Sequence, residues 1–397
     1  TPYKTLTAAV TAKLADNETD TVVFKLSEGN YDGAISRTKA SANQSFTIEG
    51  QGKDVTFIRG ASTFAAGRAA DLLYFRNFLD VTVKHCTVTN CMYGFYPRSC
   101  RKAELDDVKL IYCGSDGTAN RHDLTGTQAE QAAFWASTST SNGGAMRVRS
   151  CSEVVIRDIE VTLCARGCRI QDSGSADKTS FVTGCKIWRT LEGGIYLAHA
   201  LYDNSPNYGC VNFVISNNSV DTCFNNSILL IGATRCTVMN NSCTNGASAG
   251  IMCWHCLDTR IVGNSLFNVN QKAWSGIGTG GDAMGSIYIS GNTNIQAGDY
   301  IAVICDNVTA KSGIGEEAES NGIYIECEAY PTASNKIVIS GNKSDATNRV
   351  VNVESIPVTA VEDSAGGGLS AQTLIEATDE DASLTIQSTG ADTSVAL

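Results

Sequence analysis

The sequence predicts an all-β solenoid, a parallel β-helix opened by a capping helix. Three observations carry this. An asparagine recurs at a near-constant interval, the runs between recurrences alternate apolar and polar residues, and long amphipathic helical patterns are rare.

The asparagine repeat runs through residues 210–345. Its members are Phe213-Val214-Ile215-Ser216-Asn217-Asn218, Cys236-Thr237-Val238-Met239-Asn240-Asn241 and Thr259-Arg260-Ile261-Val262-Gly263-Asn264, followed by runs ending in Asn292 and Asn342. Successive steps are 23, 23, 28 and 50 residues, the last read as two turns. A period in this range marks a solenoid, in which each unit buries its apolar face only by stacking on its neighbours. A side-chain amide stacked on the same amide one coil away bonds along the axis, and asparagine tolerates the sharp turn at a corner.

Upstream the pattern continues without asparagine. Val81–Val88, Ala103–Leu110, Val154–Val161 and Ser180–Ile187 align, with inward residues at steps of two, three and two. The three-step is a corner between strands. Cys86, Val108, Ile159 and Cys185 occupy the asparagine position, so packing is expected to fill this end and an amide stack the other. Beyond the last inward residue runs a cysteine column, Cys91, Cys113, Cys164 and Cys223.

Domain boundaries follow. Residues 1–20 form a cap helix, with Leu6, Ala9, Val10 and Leu14 on one face. Residues 21–350 form the coils, interrupted by insertions at 114–142, 199–208 and 306–321. Residues 351–397 read as an acidic linker or the start of a C-terminal module. Thr1 is not a translation start, so the chain is expected to be a piece of a longer polypeptide or a processed form.

The formal net charge of -11 argues against a general nucleic-acid binder, which needs a basic face. No apolar run is long enough to span a membrane, so no membrane insertion is expected. The 16 cysteines are expected to be mostly reduced, because a chain of 397 residues can bury a core without disulfides and several thiols fall at inward positions. That points to folding in a cytoplasm. Cys253-Trp254-His255-Cys256 has metal-like spacing, but no second pair stands at zinc-site spacing. Neither a metal nor a cofactor is expected.

Pro2–Val10, followed by Leu26-Ser27-Glu28-Gly29-Asn30-Tyr31, resembles the opening of pectin-lyase-like β-helix proteins. The resemblance covers residues 1–345 and implies a right-handed, single-stranded parallel β-helix. Within that superfamily the chain looks most like bacteriophage tailspikes and polysaccharide-degrading β-helices. Tyr93-Gly94-Phe95-Tyr96-Pro97-Arg98 resembles an alginate-epimerase site, but Tyr96 and Arg98 stand where that family has aspartate and histidine. The tailspike resemblance implies a homotrimer in a virion, assembled in a host cytoplasm.

A second strand of each coil also aligns, beginning at Gly94, Ala145, Gly194, Gly250 and Gly322. With Phe95, Met146, Ile195, Ile251 and Ile323 inward, alternation turns Tyr96, Arg147, Tyr196, Met252 and Tyr324 outward. Arg98, Arg149, Trp254 and Glu326 then also point out. The expectation is an exposed strip of rings and guanidinium groups on an acidic protein. Rings stack on sugars and guanidinium forks grip carboxylates or sulfates, so the expected partner is an acidic polysaccharide. The substrate-binding candidates are Tyr96, Arg98, Arg147, Arg149, Tyr196, Trp254 and Tyr324. Cleavage by hydrolysis needs two carboxyl groups flanking the bond, and Glu192, Asp203, Glu326 and Glu328 are candidates. Elimination needs a base and a cation beside a uronic carboxylate, and His199 stands at the end of an outward strand. Three readings remain open: a tailspike-like depolymerase, a secreted microbial lyase or hydrolase, and a non-catalytic adhesin or fibre.

Overall fold

Most coils contain three short strands, the first two being continuous in Asp80–Cys91 and Lys102–Cys113, and strands pair in parallel with their equivalents one coil away, except for the antiparallel pair Leu374–Glu376 and Thr385–Gln387. One coil runs Ser180–Thr183, Lys186–Thr190 and Ile195–Ala198, and the next runs Phe213–Ser216, Ser219–Cys223 and Ile228–Ile231. The coils therefore have three flat faces. The first two meet through a bridged corner, and the third is a separate sheet of 13 strands. The computed structural model describes residues 5–16, 18–60, 71–114, 143–190, 193–199, 209–223, 225–246, 248–269, 285–290, 300–310, 321–326, 336–344, 348–352, 358–361, 374–376 and 385–387.

The corners follow from local chemistry. The residue between first and second faces adopts a left-handed conformation in coil after coil: His85 (φ 55), Asp107 (φ 48), Asp158 (φ 52), Asn217 (φ 55), Asn240 (φ 54), Asp306 (φ 54) and the glycines Gly184, Gly263 and Gly341. These are among the residue types that adopt that region at least cost. The entry to the third face needs close approach instead. A Cβ on Gly94 would lie 2.6 Å from Leu110 Cδ2, and one on Gly194 would lie 2.4 Å from Val220 Cγ1.

Inside, equivalent residues stack. Val83, Leu105, Ile156, Val182, Ile215, Val238 and Ile261 are in register and fully buried. The ladder position changes partway along, as the sequence indicates. Asn218 Nδ2 donates to Asn241 Oδ1 at 2.9 Å, Asn241 to Asn264 at 2.9 Å, Asn264 to Asn307 at 2.9 Å and Asn307 to Asn342 at 2.8 Å. Each Oδ1 also accepts a backbone N–H from the coil before, starting at Cys185.

One ladder member differs from the sequence reading. Asn307, not Asn292, follows Asn264. Ile287–Ser290, read as a ladder strand ending near Asn292, lies on the third face, where Ile287 pairs with Ile251 and Ile323. Alternation is alike on all three faces, so it did not separate them. Asn292 itself lies outside the described residues. Asp306 and Asn307, placed within an insertion, form the corner and the ladder step.

The helix spans Leu6–Lys13 with Thr5 as its N-cap, and Leu6, Ala9, Val10 and Leu14 are buried. Lys39 anchors it. Its buried ammonium donates to Ala15 O at 3.1 Å, to Glu18 O, and to Gln44 Oε1 at 2.9 Å. Gln44 Nε2 in turn donates to Lys13 O and Asp20 O. At the other end, Val358–Val361 extends the first face and Leu374–Glu376 the third.

The 15 cysteines among the described residues are free, and 14 of them are buried. Cys91 and Cys113 stack with sulfurs 3.5 Å apart, and Cys113 N–H points at Cys164 Sγ. Thr190 stands between Cys164 and Cys223, and its hydroxyl is 3.0 Å from Cys223 Sγ. Burial pushes the Cys86, Cys185, Cys210 and Cys223 thiols up to about 12, so they act as small apolar fillers.

Candidate functional site

The outer side of the third face carries two side-chain columns along the coil axis. Register sets Tyr74, Tyr96, Arg147, Arg169, Tyr196, Leu229, Met252, Tyr288 and Tyr324 in the first. The second holds Arg76, Arg98, Arg149, Gln171, Ala198, Ile231, Trp254, Ser290 and Glu326. Coils lie about 4.8 Å apart, so neighbours within a column touch.

The N-terminal part of this side is cationic. Arg76, Arg98 and Arg149 follow one another on adjacent coils, with no carboxylate on Arg76 or Arg98 among the described residues. Arg147 lies beside them. Its Cζ stands 5.3 Å from the Tyr96 ring centre and 5.8 Å from that of Tyr93, and its Nε donates to Gln171 Oε1 at 2.8 Å. The Tyr74 and Tyr96 rings meet edge to face at 5.1 Å. Asp71 sits just before the Leu73–Arg76 strand. Burial raises its carboxyl above the usual range, and the nearby Arg147 charge opposes that shift.

Where this face ends, Asp172 lies between two groups. Arg149 Nε is 3.8 Å from Asp172 Oδ2, and His199 Nε2 is 3.9 Å from Asp172 Oδ1. These are ion-pair distances, longer than direct hydrogen bonds.

The C-terminal part is apolar. Tyr196, Ala198, Leu229, Ile231, Met252, Tyr288 and Tyr324 form a second hydrophobic cluster outside the coils, with Trp254 packed against it. The Tyr288 hydroxyl donates to the Glu326 carboxylate. Burial and that negative neighbour push the Tyr288 phenol well above its ordinary value.

The strip differs from the sequence expectation in exposure. Tyr96, Tyr196 and Tyr324 are on the outer side but only 8%, 8% and 7% exposed. Alternation assigns a side of the sheet, whereas exposure depends on packing from adjacent coils. Arg98, Arg147, Arg149, Trp254 and Glu326 are half-buried. Of the four catalytic candidates, Glu326 and His199 are among the described residues. Glu192 and Asp203 lie outside the described residues, as does Glu328. Glu326 is four coils from the strand that ends at His199, about 19 Å along the axis.

Several site residues were missed in the sequence. Leu73-Tyr74-Phe75-Arg76 repeats the apolar, aromatic, apolar, arginine order of Phe95-Tyr96-Pro97-Arg98, and that signal adds Tyr74 and Arg76. Cys168-Arg169-Ile170-Gln171 has the same alternation. Nothing in the sequence marks Asp71 or Asp172.

Residues 71–266 match the family model of the right-handed beta helix region. No curated protein matches the sequence. Among solved structures, the chain is similar to the N-terminal fragment of gene product 12 of bacteriophage Phi29, at 13% identity and a TM-score of 0.48, covering 85% of this chain and 60% of that one. It is also similar to an alginate lyase from Paenibacillus sp. str. FPU-7 (13% identity, TM-score 0.40, 93% and 94% covered). A third similar structure is the Dettilon tailspike protein gp208, at 9% identity and a TM-score of 0.39, with 91% of this chain and 65% of that one covered. The chain thus spans less than two thirds of the Phi29 fragment and of the tailspike.

Proposed function

For this right-handed parallel β-helix, we propose that the outer third face binds an acidic polysaccharide lying along the coil axis. The observation that carries the reading is the arginine column Arg76, Arg98 and Arg149, flanked by Arg147 and Arg169, on a chain of net charge -11. Guanidinium groups stacked on adjacent coils repel one another unless anions lie between them. Carboxylates or sulfates spaced along a polymer supply those anions, and the neighbouring tyrosines supply ring edges and faces.

We further propose that the bound polymer is cut by elimination. Hydrolysis needs a carboxyl pair about 5 to 9.5 Å apart. Asp71 and Asp172 lie at opposite ends of the strand and three coils apart, and Glu326 is five coils beyond Asp172. In this reading His199, 3.9 Å from Asp172, takes the proton beside a uronic carboxylate, Arg149 neutralises that carboxylate as charge builds on it, and the glycosidic C–O bond on the adjacent carbon breaks, its leaving oxygen taking up a proton from solvent. The finer reading is a tailspike-like receptor-binding protein, a homotrimer in a virion that depolymerises a cell-surface polysaccharide. The free thiols support folding in a reducing cytoplasm before any extracellular role.

Incubation with a panel of capsular and algal polysaccharides tests this. Elimination produces ultraviolet-absorbing unsaturated uronates. New reducing ends without that absorbance mean hydrolysis and overturn the role of His199, and binding without cleavage means an adhesin. Sedimentation analysis reads the trimer directly.

A further inference from the structure

Asp71 Oδ1 and Tyr93 Oη are buried, and neither has a hydrogen-bond partner among the described residues. They belong to adjacent coils. Leu73 pairs with Phe95, which brings Asp71 level with Tyr93, and Leu72 N donates to Tyr93 O at 2.8 Å. Tyr93 is 1% exposed yet stands apart from the inner core. Its ring centre is 5.6 Å from that of Tyr96, and the Arg147 guanidinium lies over both rings. A phenylalanine at 93 would keep those ring contacts without leaving a hydroxyl unpaired. Buried polar atoms are normally paired, and an exception of this kind calls for an explanation, of which a bound water, ion or catalytic role is the usual one.

We propose that Asp71 and Tyr93 form a saccharide subsite, whose carboxyl and phenol grip a ring hydroxyl of the sugar that sets its acidic group against Arg147. The inference rests on the acidic-polysaccharide reading and adds a named subsite to it. A carboxyl and a phenol each donate and accept, which matches a sugar hydroxyl that does both. Burial raises Asp71, so its carboxyl holds a proton more firmly than an exposed one. The Tyr74 and Tyr96 rings, in edge contact, form an aromatic wall beside it. The ligand class is a uronic or sulfated sugar with a free hydroxyl near its anionic group.

Calorimetric titration with oligomers of polygalacturonate, alginate, hyaluronan and chondroitin sulfate tests the subsite, alongside thermal melting without ligand. Tyr93→Phe and Asp71→Asn are each expected to weaken binding of the recognised oligomer at least tenfold. Their ligand-free melting temperatures are expected to stay level or rise, since Tyr93→Phe removes an unpaired hydroxyl and Asp71→Asn replaces an ionisable carboxyl disfavoured by burial with a neutral amide. Wild-type affinity in both variants, with binding still lost in Arg98→Ala/Arg149→Ala, overturns the subsite and leaves the wider reading standing. A marked fall in ligand-free melting temperature overturns it too, because the pair is then structural. Failure of the unaltered protein to bind any of the four overturns both.

Discussion

The two halves of the third face share one backbone and differ in what they display. From Leu73–Arg76 to Cys168–Gln171 the outer columns hold tyrosines and arginines, with Gln171 as the one exception. From Ile195–Ala198 to Asn321–Glu326 they hold tyrosines, leucine, isoleucine, methionine and tryptophan, with Glu326 as the acid. The inward column of this face stays apolar across that boundary, from Leu73, Phe95, Met146 and Cys168 to Ile195, Ile228, Ile251, Ile287 and Ile323. Within one coil of it, the inner ladder turns from Cys185 to Asn218. A coil fixes its inward residues by packing and leaves its outward ones free. One half uses that freedom for charge, and the other for a second apolar layer. The first is the half suited to a polyanion, and the second adds stability.

The largest expected effect breaks the ladder. Asn264→Leu leaves the Asn241 backbone N–H and one of the two Nδ2 hydrogens without an acceptor, the other still reaching Ile215 O. Two orphaned buried donors cost about 3 kcal/mol or more. Cys185→Ala, at the equivalent position one coil before the ladder, is expected to cost about 1 kcal/mol. Urea unfolding of both variants measures the difference. Equal costs would mean that the amide stack is only a filler.

Next comes the cationic half. Arg98→Ala/Arg149→Ala is expected to lower affinity for an acidic oligosaccharide about 100-fold, from two lost charge-assisted contacts of about 1.4 kcal/mol or more each. Unfolding stability should change little, since neither group is part of the inner core. A weaker salt dependence of binding should accompany the loss.

Met252→Ala reverses that pattern. Met252 belongs to the outer apolar cluster and is 9% exposed. Truncation there is expected to cost about 2 kcal/mol of stability. Affinity for the acidic oligosaccharide should hold within about twofold, or 0.4 kcal/mol. A Met252→Ala protein that keeps its stability and loses the saccharide would move the site into the C-terminal half.

How much of this was legible in the sequence depends on what each residue reports. Asn218, Asn241, Asn264 and Asn342 announce the coils because a buried amide stack demands the same residue at the same place. Asn307 was hidden, because chain between the coils stretches its steps to 43 and 35 residues and breaks the period. The outward side of Tyr96 and Tyr196 was legible from alternation, while their burial was not. Asp71 gave no signal at all. It precedes its strand, and its environment is created by Tyr93 and Arg147, 22 and 76 residues further along the chain.

Asp71 also supplies the smallest and sharpest contrast. Its carboxyl is raised in the fold, chiefly by burial, while an unfolded aspartate titrates near 3.9. The folded state therefore binds more protons than the unfolded state between those two values. Stability conferred by the neutral carboxyl is complete at acid pH and declines as pH rises from about 4 through the folded value. Asp71→Asn removes that titration. The variant should gain on the unaltered protein as pH rises through this window, by up to about 1 kcal/mol for an unpaired half-buried group. Urea midpoints at pH 4 and pH 7 measure it. A gap that stays the same at both pH values would mean that Arg147 fully compensates the charge, and Asp71 would then be a paired anion of the cationic half instead of its proton-holding acid.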